Sequence, residues 1–243
     1  MNIWLGSVIA VILSYLAGSI PTAYIVSRLA TGTDIRKVGS GNMGAMNVFY
    51  KVGFWAGLTV GIVDAGKGSL AVYFGTLFAH LANAGPLPTT ILQMVCGLGA
   101  IAGHNFPAYL GFKRGGKGGA CAVGIVFFLV PLGIPAYILL FLILLAITRY
   151  GTISYAASFI AFPLTAWAEW STPVDEWLRT TLPALAWMQS GAVVPAQHIL
   201  LIIYPILVIL IPLLAYIPRI KEIMGKAGSF KKAAFRRSLK DRL

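Results

Sequence analysis

Charge is what this chain has least of. Only 11% of its 243 residues are Asp, Glu, Lys or Arg, against roughly 25% in a soluble domain, which is too few to build a water-facing surface. Cysteine is as scarce. Cys96 and Cys121 both sit in or beside apolar segments, so a disulfide framework is excluded and no CxxC metal spacing exists. Three histidines, His80, His104 and His198, are scattered too widely for a zinc site. No metal and no cofactor is implied. There is no internal repeat, and no inverted pair of broken helices of the kind many transporters carry.

What the chain does have is apolar length. Hydrophobic residues make up 58% and mean hydropathy is +0.82. Seven apolar segments are expected, at 3–28, 54–82, 89–102, 119–132, 134–148, 152–168 and 197–217. Several reach the ~20 residues a spanning helix needs. The third to fifth are short, and Pro131 and Pro135 predict a break between the fourth and fifth. The first has no basic residue before its apolar run, so it is expected to be an anchor rather than a cleaved signal. The fold class is therefore an all-α, polytopic integral membrane protein of about seven transmembrane helices.

Net charge is +12, and its distribution separates nucleic-acid binding from membrane topology. With the N-terminus outside, 17 of the 19 Lys and Arg residues fall on one side. They are Arg28 and the cations of the loops at 29–53, 103–118 and 149–151 and of the C-terminal tail from Arg219 onward. By the positive-inside rule that side and the C-terminus are cytoplasmic. The tail at 227–243 is basic, with Phe235, Leu239 and Leu243 on one helical face, which fits an anionic membrane surface. No groove-reading or base-stacking motif supports nucleic acid. On the other side, an insert at 169–197 is flanked and filled by Trp167, Trp170, Trp177 and Trp187. Indole rings favour the headgroup region, so an interfacial helix from Asp175 to Thr181, ended by Pro183, is expected. The membrane domain is taken as 1–226, with the tail following it.

Two loops carry chemistry. The first, Gly39-Ser40-Gly41-Asn42-Met43-Gly44-Ala45-Met46-Asn47, combines glycines with small polar side chains. That composition suits a turn presenting N–H groups to an anion, or a turn that merely joins two helices. In the second, Lys113-Arg114-Gly115-Gly116-Lys117-Gly118-Gly119 runs into a helix start. Backbone donors, helix dipole and cations together make a phosphate cradle there, the alternative being a basic loop that only enforces topology. The window from Gly111 to Lys117 nearly matches a Walker A loop. Gly118 stands where Ser or Thr would hold magnesium, which argues against an ATPase. Asp64 and Lys67, three residues apart within the second segment, share a helix face and either line a site or form a structural ion pair. His104 is a candidate general base or an organiser of its loop.

These motifs resemble the bacterial acyl-phosphate-dependent glycerol-3-phosphate acyltransferases. The match rests on Gly18-Ser19-Ile20-Pro21, on Gly39 to Val48, on Asp64-Ala65-Gly66-Lys67-Gly68, and on Gly103-His104-Asn105-Phe106-Pro107 leading to Gly115-Gly116-Lys117-Gly118. It covers residues 1–165 and 197–226. The resemblance implies seven membrane helices of the plasma (inner) membrane, an active site at the cytoplasmic face and a role in phospholipid synthesis. It implies acyl transfer from acyl phosphate to the 1-hydroxyl of glycerol 3-phosphate, giving 1-acylglycerol 3-phosphate and phosphate. Ser40, Asn42, Asn47, Lys67 and His104 are then the candidate catalytic residues. Lys113, Gly115, Gly116, Lys117 and Gly118 are the candidates for the acceptor's phosphate. Ser40 is expected to position or donate a hydrogen bond rather than attack, since no His-Asp pair marks it as an activated nucleophile. No Asp follows any histidine at the interval of the His-x4-Asp acyltransferases. The chain departs from the family pattern at Met46, at Tyr50 with Lys51 adjacent, at Cys121, and at Tyr216 and Arg219. A phosphate or lysophospholipid transporter, and a catalytically lapsed binding relative, are the alternatives.

Overall fold

Residues 1–113, 115–131, 133–149, 151–171 and 195–214 are described by a computed structural model, and within them every regular element is helical. The elements are α1 (Ile3–Ser19), α2 (Thr22–Thr31), α3 (Ala45–Lys51), α4 (Phe54–Leu81), α5 (Pro86–Asn105), α6 (Gly119–Leu129), α7 (Gly133–Thr148), α8 (Gly151–Ser158), α9 (Ala161–Ser171) and α10 (Pro195–Leu214). Short 3-10 turns lie at Ile35–Lys37 and Ala108–Leu110. The expected helix at Asp175 to Thr181, Tyr216, Arg219 and the basic tail lie outside the described residues, as does Arg114.

Two expected segments are each two helices. Pro21 divides the first: it has no N–H to continue α1, and it drives Ile20 into an extended conformation (φ −58°, ψ 116°). Pro21 itself sits at φ −82°, ψ 67°. This is an inverse γ-turn, closed by the Thr22 N–H donating to the Ile20 carbonyl at 2.9 Å. Pro163 does the same to the sixth segment, where it denies Phe159 a helical partner and separates α8 from α9. The third segment is longer than the expected 89–102. Pro86 opens α5 at the first turn, and the helix runs on through His104 and Asn105 until Phe106 precedes Pro107. The predicted break between the fourth and fifth segments lies between Leu129 and Gly133.

Helices α1, α4, α5 and α6 pack on one another with their backbones nearly touching. Small residues allow it. A Cβ on Gly18 would overlap the backbone of Ala100, one on Gly103 the Tyr15 carbonyl, and one on Gly124 the Ala65 carbonyl. Ser69 Oγ donates to the Gly124 carbonyl at 2.8 Å across the α4–α6 contact. In a membrane, where apolar surface alone does not drive helices together, such close approach is what holds a bundle. A second cluster joins α7, α8 and α9 through the rings of Tyr137, Tyr155, Phe159 and Phe162. Tyr204 ties α10 to α5 by donating to the Met94 carbonyl at 2.7 Å.

The outside of this bundle is as apolar as its inside. Trp4, Leu5, Ile12, Ile62, Leu139 and Ile147 all face outward, a surface suited to lipid rather than water. The stretches Ile3–Thr31 and Pro86–Leu110 are long and apolar enough to cross a bilayer. Helix α4, at 28 residues, is about 42 Å long at 1.5 Å per residue.

Candidate active site

The first loop is built around a single amide. Asn47, in α3 and buried, accepts from the Ser40 N–H at 3.0 Å through Oδ1. Its Nδ2 donates to the carbonyls of Ile35 and Val38 at 3.2 Å and of Asn42 at 3.0 Å. The loop folds around it because Gly39 turns at φ +58° and Gly41 at φ +67°, conformations glycine adopts without strain. A Cβ on Gly39 would overlap Asn47 Oδ1. Ser40 is thereby displayed half-buried at the turn, its Oγ accepting a long contact from the Asn42 N–H at 3.4 Å. Asn47 thus holds in place the loop that carries Ser40 and Asn42.

The loop's far end is anchored to α2. Asp34 accepts from the Arg36 N–H at 3.1 Å and from its Nε and Nη2 at 2.9 and 2.8 Å. The guanidinium lies over the Tyr24 ring, 4.8 Å from its centroid. Those hydrogen bonds from Arg36 lower the Asp34 pKa to about 2. Of the positions that depart from the family pattern, Met46 and Tyr50 turn outward, 57% and 51% exposed. Lys51 instead lays its stem against Gly39, 2.9 Å from the position a Cβ would take there. Lys51 therefore lies beside the first loop where Tyr50 does not.

Below the loops, Lys67 in mid-α4 donates to Asp64 Oδ1 and to the Ile20 carbonyl, each at 2.6 Å. Both charged side chains are buried, 5% and 1% exposed. The Ile20 carbonyl is available to Lys67 because the Pro21 turn takes it out of helical bonding. His104, in the last turn of α5, brings Nδ1 to 3.9 Å from the same Asp64 oxygen, too far for a hydrogen bond.

The glycine loop lies flat on this group. The Gly115 N–H donates to the Asn105 carbonyl at 2.8 Å and the Gly116 N–H to that of His104 at 3.1 Å. A Cβ on Gly116 would overlap His104 Nε2 and come within 2.6 Å of the Met43 carbonyl. The two motif loops therefore meet at Gly116, above His104. Gly118, at φ +77°, caps α6, and a Cβ there would press on Ile101 at 2.8 Å. The first turn of α6 has no side-chain cap, so its N–H groups are directed at whatever fills the loop. Lys117 is half-buried beside them, and Lys113 is exposed at the loop's outer rim.

Three of the expected residues thus converge: Gly116 lies against His104, and His104 and Lys67 both face Asp64. Ser40 and Asn42 belong to the loop that brings the Met43 carbonyl to Gly116. His80 is exposed near the end of α4, and the side chain of His198 lies outside the described residues. Cys96 and Cys121 are buried free thiols in the packing. Among the described residues no group of three His, Cys, Asp or Glu side chains is placed to hold a metal. The carbonyls of Ile20 and Met43 are site elements that residue identity does not reveal, although Pro21 in an apolar run signals the first.

The family profile described as "Glycerol-3-phosphate acyltransferase" matches residues 8–225. The chain belongs to the glycerol-3-phosphate acyltransferase family. This is a membrane acyltransferase family of phospholipid synthesis, and the match takes in the Trp-rich insert that the motif resemblance left outside. "Glycerol-3-phosphate acyltransferase 2" of Dehalococcoides mccartyi strain 195 is 45% identical over all of both chains. The "Glycerol-3-phosphate acyltransferase" of Chlorobium phaeobacteroides BS1 is 40% identical over 65% of this chain and 68% of that one. Among solved structures, PlsY, an integral membrane glycerol 3-phosphate acyltransferase, in its glycerol 3-phosphate form shares the fold. Its TM-score is 0.63 at 24% identity, over 90% of this chain and 92% of that one. The family member described here therefore has an all-helical fold, among its described residues, that it shares with an integral membrane protein.

Proposed function

We propose that the chain transfers a fatty acyl group from an acyl phosphate to the 1-hydroxyl of glycerol 3-phosphate, within a membrane domain spanning 1–226. The observation that carries this is the meeting of the two glycine-rich loops above His104 and the Lys67–Asp64 pair. One end of the bundle there offers anion donors from several directions. The α6 N-terminus from Gly118 and Lys117, with Lys113 at the rim, hold the acceptor's phosphate, and Gly115 and Gly116, their N–H groups bonded to Asn105 and His104, let it approach because they carry no side chain. Ser40 and Asn42 border the reacting carbonyl.

The acyl phosphate is already activated, so no covalent enzyme intermediate is required. The 1-hydroxyl oxygen bonds to the acyl carbon, the bond from that carbon to the phosphate oxygen breaks, and the departing phosphate accepts the hydroxyl proton. The protein aligns two anions and stabilises the charge that develops on the carbonyl oxygen. His104 borders the reaction centre and orients the loop above it. The distribution of Lys and Arg supports a cytoplasmic site, with the N-terminus outside and the C-terminus inside.

Relatives named as acyltransferases over the whole chain favour an enzyme over a transporter or a lapsed binding protein. In proteoliposomes, inorganic phosphate is expected to appear only when both palmitoyl phosphate and glycerol 3-phosphate are supplied. Uptake of glycerol 3-phosphate into the vesicles without phosphate release would contradict the proposal.

A further inference from the structure

We propose that Tyr155 of α8 is a positioning residue for the acceptor: it aims a backbone donor of α6 at the acceptor's phosphate. This rests on the reading above, in which the α6 N-terminus holds that phosphate.

The start of α6 has no fixture of its own. Gly118 supplies no side-chain cap, and with Gly119 next to it the backbone there is free to rotate. Two neighbouring helices hold it instead. Helix α4 lies so close that a Cβ on Gly68 would overlap the Cys121 carbonyl. From α8, the Tyr155 hydroxyl donates to the Gly119 carbonyl at 2.6 Å. A Cβ on Gly119 would stand 3.0 Å from that hydroxyl, so the approach leaves little room for a side chain there.

The hydroxyl fixes more than a carbonyl. The Gly119 C=O and the Ala120 N–H belong to one planar peptide unit, so holding the oxygen holds the direction of the N–H. Accepting a hydrogen bond at the oxygen also polarises the unit and strengthens its N–H as a donor. The first intrahelical bond of α6 runs from the Ala122 N–H to the Gly118 carbonyl at 2.8 Å. The Ala120 N–H lies ahead of that bond, in the turn whose donors point out of the helix end.

Tyr155 can act in this way because its ring is itself held. It packs edge-on to Tyr137 and Phe159, with centroids 6.3 and 5.3 Å away. The aromatic cluster of α7, α8 and α9 thereby sets the geometry of a cradle to which it contributes no ligand.

The test measures glycerol 3-phosphate affinity by calorimetry on the full-length protein in detergent. Tyr155→Phe keeps the ring and its packing and removes only the hydroxyl. The Gly119 carbonyl keeps its place in the helical ladder, so the melting temperature is expected to change little. Affinity for glycerol 3-phosphate is expected to fall roughly five-fold, the scale of one net hydrogen bond. Tyr204→Phe is the matched control, because its hydroxyl also donates to a helix carbonyl, that of Met94 at 2.7 Å, away from the α6 N-terminus. It is expected to bind glycerol 3-phosphate as the wild type does.

Unchanged or tighter binding in Tyr155→Phe overturns the inference. An equal loss in both variants would show a general loosening of the bundle and overturns it too. No binding by the wild type contradicts the α6 cradle and the inference with it. Turnover of palmitoyl phosphate by the wild type is read separately: its absence contradicts the proposed reaction, while acceptor binding alone decides the role of Tyr155.

Discussion

Lys67 donates to the Ile20 carbonyl at 2.6 Å across the break between α1 and α2, while the same ammonium holds Asp64. A buried charge pair therefore also fastens a helix break, and the break forms one wall of the site.

Removing either charge leaves the other buried alone. Lys67→Met is expected to destabilise by about 3–5 kcal/mol, seen as a lower melting temperature in detergent. Asp64→Asn/Lys67→Met recovers much of that stability without recovering turnover. Recovery of turnover in the double variant would show that the pair is only structural.

Gly116→Ala drives a methyl into His104 Nε2. Overpacking of that kind costs about 1–3 kcal/mol, and the loop must lift. Turnover is expected to fall at least ~100-fold, the scale of a 1 Å misplacement at a reacting centre. His104→Ala/Gly116→Ala removes the clash with the imidazole, leaving the one with the Met43 carbonyl, and is expected to be more stable than Gly116→Ala alone by thermal melting. Equal stability would show that the loop does not rest on His104.

Ser40 and Asn47 should separate by readout. Asn47→Ala removes four hydrogen bonds and is expected to lower both kcat and stability, the latter by about 2 kcal/mol. Ser40→Ala is expected to lower kcat at least ~10-fold with little change in melting temperature. Unchanged kcat in Ser40→Ala would remove Ser40 from the site.

The Asp34–Arg36 anchor has a definite pH signature. The Asp34 pKa is lowered from 3.8 to about 2 in the folded protein, so the folded state favours the ionised form. Its stabilisation is complete above about pH 4 and is lost as pH falls through about 2. The melting-temperature difference between wild type and Asp34→Asn is therefore expected to be flat from pH 8 to 5 and to shrink below 4. A difference that shrinks between pH 7 and 5 would contradict this pairing.

Much of this was legible in the sequence because lipid demands long apolar runs. The expected segments at 54–82 and 134–148 differ from α4 and α7 by one residue each. The errors fall where hydropathy carries no signal. Pro21 and Pro163 break helices without interrupting an apolar run, and α5 reaches Asn105 although Gly103 and His104 read as loop. Residue types singled out both glycine loops and Lys67, which the fold brings to one end of the bundle. They could not show that Asn47 holds its loop together, because that depends on where carbonyls point. Nor could they show that Lys67 reaches the backbone oxygen of Ile20.

The central claim is acyl transfer from a phosphate donor, and it is tested by supplying purified protein with glycerol 3-phosphate and labelled palmitoyl phosphate or palmitoyl-CoA. Labelled 1-acylglycerol 3-phosphate is expected from palmitoyl phosphate. Folded protein that yields no product from palmitoyl phosphate, or yields it only from palmitoyl-CoA, would contradict the account.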